Sequence, residues 1–569
     1  MTDFKLEIAK LIAEVTKLDE NELITYIEVP PNAEMGDYAF PCFKLAKELK
    51  KAPPVIAMDI KENITIDNKT IEKLDVAGGY LNFYINKETL AKDVLTRLAN
   101  EKELYGSSNI GEGKTVLVEY SSPNIAKPMH MGHLRNTIIG GALYKIYKFL
   151  GYDVVGINHL GDWGINFAKI MAGYTMWKDE YDFSEDSLDP IVKIYVRFNE
   201  LEKEKPEYTE VARSWHIKLE SGDSEAVRLW NWLKDVSLKE AEKIYDLLNC
   251  KFDSYNGEAF YNDKMDEIIE ELKAKNLLVE SDGAQVIDLE EYNMPPCIAL
   301  TSAGTTLYAT RDLAAIKYRM KTYDYYKSLY VVGSEQQLHF KQIYKVFELM
   351  GYPEYAKKCE HIYYGLILDG EGKKMGTRKG NSLTLLELLN EGIAKSKAVI
   401  EEKGTDIEDK EKLAKQIGIG AIIFNDLSNN KNNDVVFDWN QVLNFTGETG
   451  PYIQYIYVRT RSVLEKAGYM ADINEIDFSK LTDKESLAII KLLYSFEDIL
   501  INASEKNEPS IISRYLIDLA SSFSTFYNEH HILVEDKEIA NARIFLTWAV
   551  GTVLKTGVTL LGMEMPEKM

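Results

Sequence analysis

His130 and His133, three residues apart in EYSSPNIAKPMHMGHLRNTIIGG, have a type and spacing that could do chemistry. An apolar run, TVLVEY, ends just before them, a Pro-containing loop turns the chain, and the histidines open a helical pattern. Residues three apart share a helix face, so both rings can face one ligand. A helix start offers unpaired N–H groups and a positive dipole end, which favours an anion, above all a phosphate. Lys127 would add a point charge to the same cluster, and Gly132 leaves room for a nucleobase or ribose to approach the backbone. The bland alternative is a helix with two incidental histidines; the place of the pair directly after a buried strand argues for the site.

Such a pair needs a scaffold. TVLVEY reads as a strand buried in a parallel sheet, MHMGHLRNTIIGGALYKIYKFLG as a helix and DVVGINHLG as the next strand. This βαβ alternation predicts a doubly wound, Rossmann-type domain with ligands at strand C-termini, where Glu119 sits. The chain is read as multidomain α/β. Residues 1–110 form an N-terminal α+β domain, with a helix in KLEIAKLIAEV, a second helical stretch in KLAKELKK and a strand in VAGGYLNFYI. Residues 111–384 form the Rossmann-type domain; a charged helical insertion over about 177–291 interrupts it, and strands at TTLYAT, SLYVVGS and HIYYGLIL complete the sheet. Residues 385–569 are helical throughout and form a C-terminal all-α bundle.

With 569 residues, 45% hydrophobic and 28% charged, the chain has material for several cored domains. Its 90 acidic and 67 basic residues give a net charge of −23, which argues against a broad basic nucleic-acid surface; any such partner must be held locally. KKMGTRKG and YVRTRS are the local basic runs. Four scattered cysteines without CxxC spacing support neither a disulfide framework nor a zinc knuckle. The N-terminal stretch lacks a leader pattern, and no segment reaches the ~18 apolar residues of a span, so a cytoplasmic protein without membrane association is expected.

HMGH resembles the HIGH signature of class I aminoacyl-tRNA synthetases, and SSPNIAKPMHMGHLRNTIIGG is similar to the matching segment of the arginyl-tRNA synthetase family. NHLGDWG, FDSYNGEAFYND, TLYATRDLAA, KKMGTRKG, NDLSNNKNNDVVFDW, TGPYIQY and MPEKM resemble further stretches of that family in the same order, and VPPNAEMGDYAFP looks like its added N-terminal domain. The resemblance implies ATP-dependent activation of L-arginine to arginyl-adenylate and transfer to the terminal adenosine of arginine tRNA. Mg²⁺ enters with ATP, zinc is not implied, and the expected form is a monomer.

By the same resemblance His130, Gly132, His133, Lys374 and Met375 bind ATP, and His130, His133, Lys127, Lys374 and Arg378 carry the catalysis. Lys374 to Arg378 match the KMSKS loop with two departures, Gly376 for Ser and Arg378 for the second Lys, and the run after Gly164 (Ile165 to Ala168) also departs from the family pattern. Guanidinium recognition requires carboxylates, preferably bidentate, beside an aromatic face. The positions matching the family's arginine pocket are Glu119, Asn124, Tyr308, Asp312 and Gln336. Singly, Glu119 also reads as a strand-end surface carboxylate, Tyr308 as core and Asp312 as a helix cap; Trp163 reads better as core than as a ligand contact. In the helical region Tyr452, Gln454, Tyr455 and Arg459 are candidate tRNA contacts, by stacking and phosphate pairing. The competing readings are a class I synthetase for another amino acid, a non-catalytic tRNA-binding paralogue and a small nucleotidyltransferase. A neutral substrate would strand the pocket carboxylates, and the C-terminal bundle fits poorly with the last.

Overall fold

The structure is a computed structural model that describes residues 3–32, 35–183, 188–301, 308–373, 375, 383–402, 404 and 407–569. In the N-terminal module a helix, Pro53–Asn63, packs on a three-stranded antiparallel sheet of Tyr38–Pro41, Tyr80–Ile85 and Ile71–Ala77, and the first helix, Phe4–Thr16, shares their core. VAGGYLNFYI is therefore not one strand: Gly78 and Gly79 make a two-residue hairpin turn, with Gly78 at φ 60°. KLAKELKK is helical through Leu49, as a 3-10 turn, Cys42–Leu45, running into a single α-helical turn, Ala46–Leu49.

The central sheet is parallel and built from β1 (Thr115–Glu119), β2 (Asp153–Ile157), β3 (Lys327–Val331) and β4 (Cys359–Ile362), in the order β4-β3-β1-β2. Alternate residues of β1 feed two cores. Val116 and Val118 join helix α1 (Met131–Phe149) and the bundle, whereas Leu117 joins the opposite face with helices α2 (Tyr308–Tyr323) and α3 (Gln337–Leu349). From β1 the chain crosses to β2 on one side, and later strands add on the other, so β1 and β3 flank the switch point where such sheets open a crevice. Gly140 lets α1 lie against the strand end, since a Cβ there would come within 2.1 Å of Tyr120.

The insertion packs around a core that it shares with Ile125, Ala126 and Leu160 of the loops beside the site. Ile165–Trp177, Asp189–Glu204, Glu207–Glu220 and Ser224–Leu247 pack as helices around Phe167, Trp177, Phe198, Trp215 and Leu229. A three-stranded antiparallel sheet, Val279–Ser281, Ala284–Ile287 and Cys297–Leu300, follows. Of TTLYAT, residues 305–307 lie outside the described residues, and from Tyr308 the chain is helix, not strand. Of HIYYGLIL only the beginning extends the central sheet; Ile367–Leu368 pairs instead with Val435–Val436, a short strand inside the region read as wholly helical.

That region contains α4 (Leu385–Glu402), α5 (Lys410–Leu427), α6 (Gly450–Ala467), α7 (Lys484–Glu505), α8 (Ser510–Glu529) and α9 (Lys537–Leu560). One hydrophobic core runs unbroken from Phe4 and Phe83 through α1 to Phe496, Leu516 and Val550. Arg135 of α1, 1% exposed, pins this arrangement: its guanidinium pairs with Asp426 at 2.9 Å and donates to the carbonyls of Asn433 and Lys431. No helix among the described residues is long and apolar enough to cross a membrane.

Candidate active site

A cleft of about 610 Å³ opens at the switch point, above the C-terminal ends of β1 and β3. Glu119, Asn124, His130, Gly132, His133, Tyr308, Asp312, Gln336 and Met375 all line it. Lys374, Gly376 and Arg378 lie outside the described residues, but the neighbouring chain is tied to the histidine loop, because Leu385 donates its N–H to Met129 and Thr384 bridges His130.

His130 is the N-cap of α1, and the two histidines cap the helix reciprocally. Nδ1 of His130 accepts from the Gly132 N–H, and Nδ1 of His133 accepts from the His130 N–H, both at 3.0 Å. A neutral ring that accepts at Nδ1 carries its proton at Nε2, so both imidazoles are fixed as Nε2–H donors. Burial first, and then the neighbouring His130, hold His133 down at about 4, so it stays neutral at pH 7. One expectation changes. The N–H groups of Gly132 and His133 are taken by His130, so the donors this helix start has left to offer are the ring Nε2–H groups. Gly132 lines the cleft, and a Cβ there would meet the His130 ring at 2.9 Å.

Lys127 does not join this pair. It lines a separate small cavity with Leu188 and Ala241, and its ammonium sits 5.4 Å over the Tyr195 ring. Asn124 is placed by a bridge between its loop and Gly161, where a Cβ would strike Asn124 Oδ1 at 2.2 Å. The insertion braces the same loop: Ser237 accepts from the Ala126 N–H, and the Tyr245 hydroxyl bonds Ser121 and Asn158. In NHLGDWG, Asp162 is buried, with Lys234 at 3.1 Å and the Ala259 N–H at 2.8 Å; Trp163 packs on Trp230. Asp162 thus ties this segment to the insertion, and Trp163 is part of the aromatic packing beside it.

At the other end of the cleft the carboxylates are already paired. Glu119, 8% exposed, meets Arg319 at 2.6 Å; Asp312 meets His339 at 2.6 Å; and Glu258 meets Arg311 at 3.4 Å. Burial pushes Glu258 up to about 7, Arg311 opposing the shift and Asp312 adding to it. Tyr308, 68% exposed, and Asp312 lie one turn apart on α2, and Arg319 follows Asp312 two turns on, toward the sheet. Sequence reasoning missed Glu258, His339, Arg311 and Arg319. The stripe 308, 312, 319 was a legible signal for Arg319, whereas Glu258 and His339 stand in FDSYNGEAFYND and EQQLHF without a spacing that marks them.

In the bundle Arg459 lies between the Tyr455 and Tyr527 rings, 4.8 Å from each, on an exposed face, and Tyr452 is half-buried at the start of α6. Gln454 is a correction. It is fully buried, donating to the carbonyls of Gln416 and Glu564, because 450, 453, 454, 457 and 458 form the core stripe of α6. Among the described residues one group has metal-ligand spacing, Asp483, Glu485 and His530. Arg543 donates to His530 Nδ1, which leaves the proton on Nε2, facing the carboxylates, so the group is a hydrogen-bonded cap.

A parallel sheet with a histidine-capped helix at its switch point and a helical bundle behind it defines a class I aminoacyl-tRNA synthetase, and residues 94–439 match the model for the class I (R) tRNA synthetase catalytic domain. Residues 2–85 match the arginyl-tRNA synthetase N-terminal domain, and residues 453–569 the DALR anticodon binding domain. The chain belongs to the arginyl-tRNA synthetase family. It is 47% identical over 570 residues to the arginine–tRNA ligase of Alkaliphilus metalliredigens and 50% identical over 568 residues to that of Clostridium botulinum strain Alaska E43, covering 100% of both chains in each case. Arginyl-tRNA synthetase from Thermus thermophilus superposes with a TM-score of 0.83 at 26% identity, covering 99% of this chain and 100% of that one. The Plasmodium falciparum enzyme gives 0.79 at 25% identity, with 100% of both chains covered.

Proposed function

We propose that this cleft joins L-arginine to ATP and passes the product to tRNA, with its two ends dividing the work. The chain is an arginine–tRNA ligase whose substrates are arginine, ATP and tRNA. The observation that carries the division of roles is the presence, in one cleft, of two fixed Nε2–H donors and, among its four carboxylates, three with internal partners. In the first step a carboxylate oxygen of arginine attacks the α-phosphorus of ATP; the new P–O bond forms as the bond to pyrophosphate breaks. No protein nucleophile is needed, so the residues contribute position and charge. His130 and His133 donate to phosphate oxygens, and Mg²⁺ enters with ATP as part of the substrate. Lys374 and Arg378 neutralise the triphosphate, and Met375 packs beside it. In the second step a hydroxyl of the tRNA's 3′-terminal adenosine attacks the arginyl carbonyl and AMP leaves.

At the arginine end, Glu119, Glu258 and Asp312 take the guanidinium, Tyr308 gives it an aromatic face, and Asn124 and Gln336 bond the polar end of the substrate. Arg459, Tyr455 and Tyr527 offer stacking surfaces and a cation to tRNA, with Tyr452 nearby; Gln454 and Lys127 are left out of these roles. The chain is taken to act as a monomer, and its four buried cysteines, none of them in a disulfide, suit the reducing cytoplasm. The test is pyrophosphate exchange with each amino acid in turn, with and without arginine tRNA. Exchange with arginine alone among them is expected; a different amino acid would overturn the reading.

A further inference from the structure

Asp312 and His339 both line the arginine end of the cleft, from the first turns of α2 and α3, and the Nε2–Oδ2 distance is 2.6 Å. A carboxylate only accepts, so His339 Nε2 donates and Oδ2 is taken, which leaves Oδ1 for a ligand. The donor stands on a stiff frame. Its neighbour Phe340 stacks on His361 at 4.4 Å, and His361 bonds the Val332 carbonyl at the end of β3. Arg319 on Glu119 and Arg311 on Glu258 repeat the pattern.

We propose that His339 is a positioning residue for arginine: it holds Oδ2 of Asp312 so that Oδ1 is aimed at the guanidinium before the substrate arrives. The guanidinium is then met by single oxygens of several carboxylates, each braced from behind by an internal donor, in place of one bidentate pair. Five N–H donors in a plane can reach such an array, and a compact ammonium cannot.

The proposal rests on the assignment of Asp312 to arginine, and steady-state aminoacylation of arginine tRNA with four variants separates the two. Asp312→Asn tests the assignment. His339→Ala and His339→Leu, the second keeping volume without a donor, should each raise the arginine KM about tenfold, the loss expected for one hydrogen bond to a charged group, with the KM values for ATP and tRNA unmoved. His339→Gln, which retains an N–H donor, should recover most of the loss. The double variant Asp312→Asn/His339→Ala should be no weaker for arginine than Asp312→Asn alone, since one acts through the other. An arginine KM unmoved by Asp312→Asn overturns the assignment and the proposal with it. If that variant raises the KM while His339→Ala and His339→Leu do not, or if they raise the KM values for ATP and arginine equally, His339 positions nothing.

Discussion

At the histidine end of the cleft the donors are rings that cap their own helix, whereas at the end proposed for arginine the carboxylates each already hold an internal partner. The difference follows the ligands. A triphosphate brings charge and needs donors whose proton does not wander; a guanidinium brings donors and needs acceptors whose charge survives burial. The first end solves its problem within four residues, the second by bringing side chains together from β1, α2, α3 and, with Glu258, the insertion.

The sharpest way to break this contrast is at the rings. His130→Ala or His133→Ala should slow adenylate formation by about 10² to 10³, the usual cost of one preorganised donor, with tRNA affinity kept. Full activity in either variant, read by pyrophosphate exchange, would sink the nucleotide assignment. Next in size is Asp312→Asn, which removes the charge from a contact worth roughly 1.5 to 3 kcal/mol and should weaken arginine by about ten- to a hundredfold while sparing ATP. Separate binding titrations for the two substrates distinguish a pocket residue from a helix cap, which would affect both.

The third prediction uses pH. Glu258 is held near 7, so its charge, present above that value, is lost as pH falls through it, and kcat/KM for arginine should drop on acidification. His133, held at about 4, remains neutral over the same range and gives ATP no matching step. Glu258→Gln should lower kcat/KM and flatten the arginine profile; an unchanged profile would mean that another group titrates. The smallest effect is expected at Lys127. Because its ammonium lies over Tyr195 and outside the cleft, Lys127→Ala should move the ATP KM by less than about twofold, within the range of an exposed charge. A loss as large as that of the histidine variants would return Lys127 to the nucleotide end.

The strand, loop and helix start at the histidine end were legible because their determinants are consecutive: a buried run, a turn and HMGH state them in order. The arginine end was half legible. Tyr308 and Asp312 stand at helical spacing, and α2 does place them on one face. The partners of the cleft carboxylates lie up to 200 positions away, as in Glu119 with Arg319, and no local period records such a pairing. Gln454 shows the opposite failure: its polar type suggested a surface, while the stripe around it already marked core. The hairpin at Gly78 and Gly79 was likewise signalled by turn residues that the alternation around them concealed.

Arg135 lies two residues beyond the second histidine, yet its charge is satisfied entirely by the region around Asp426 to Asn433. Cutting the chain near Leu385 would leave that guanidinium buried without its counter-ion, a loss of several kcal/mol, and would strip the continuous core from one side. The N-terminal module, the histidine helix and the bundle therefore constitute one cooperative unit of melting. Differential scanning calorimetry should resolve a single main endotherm for them; two resolved peaks would mean that the continuous core does not couple them.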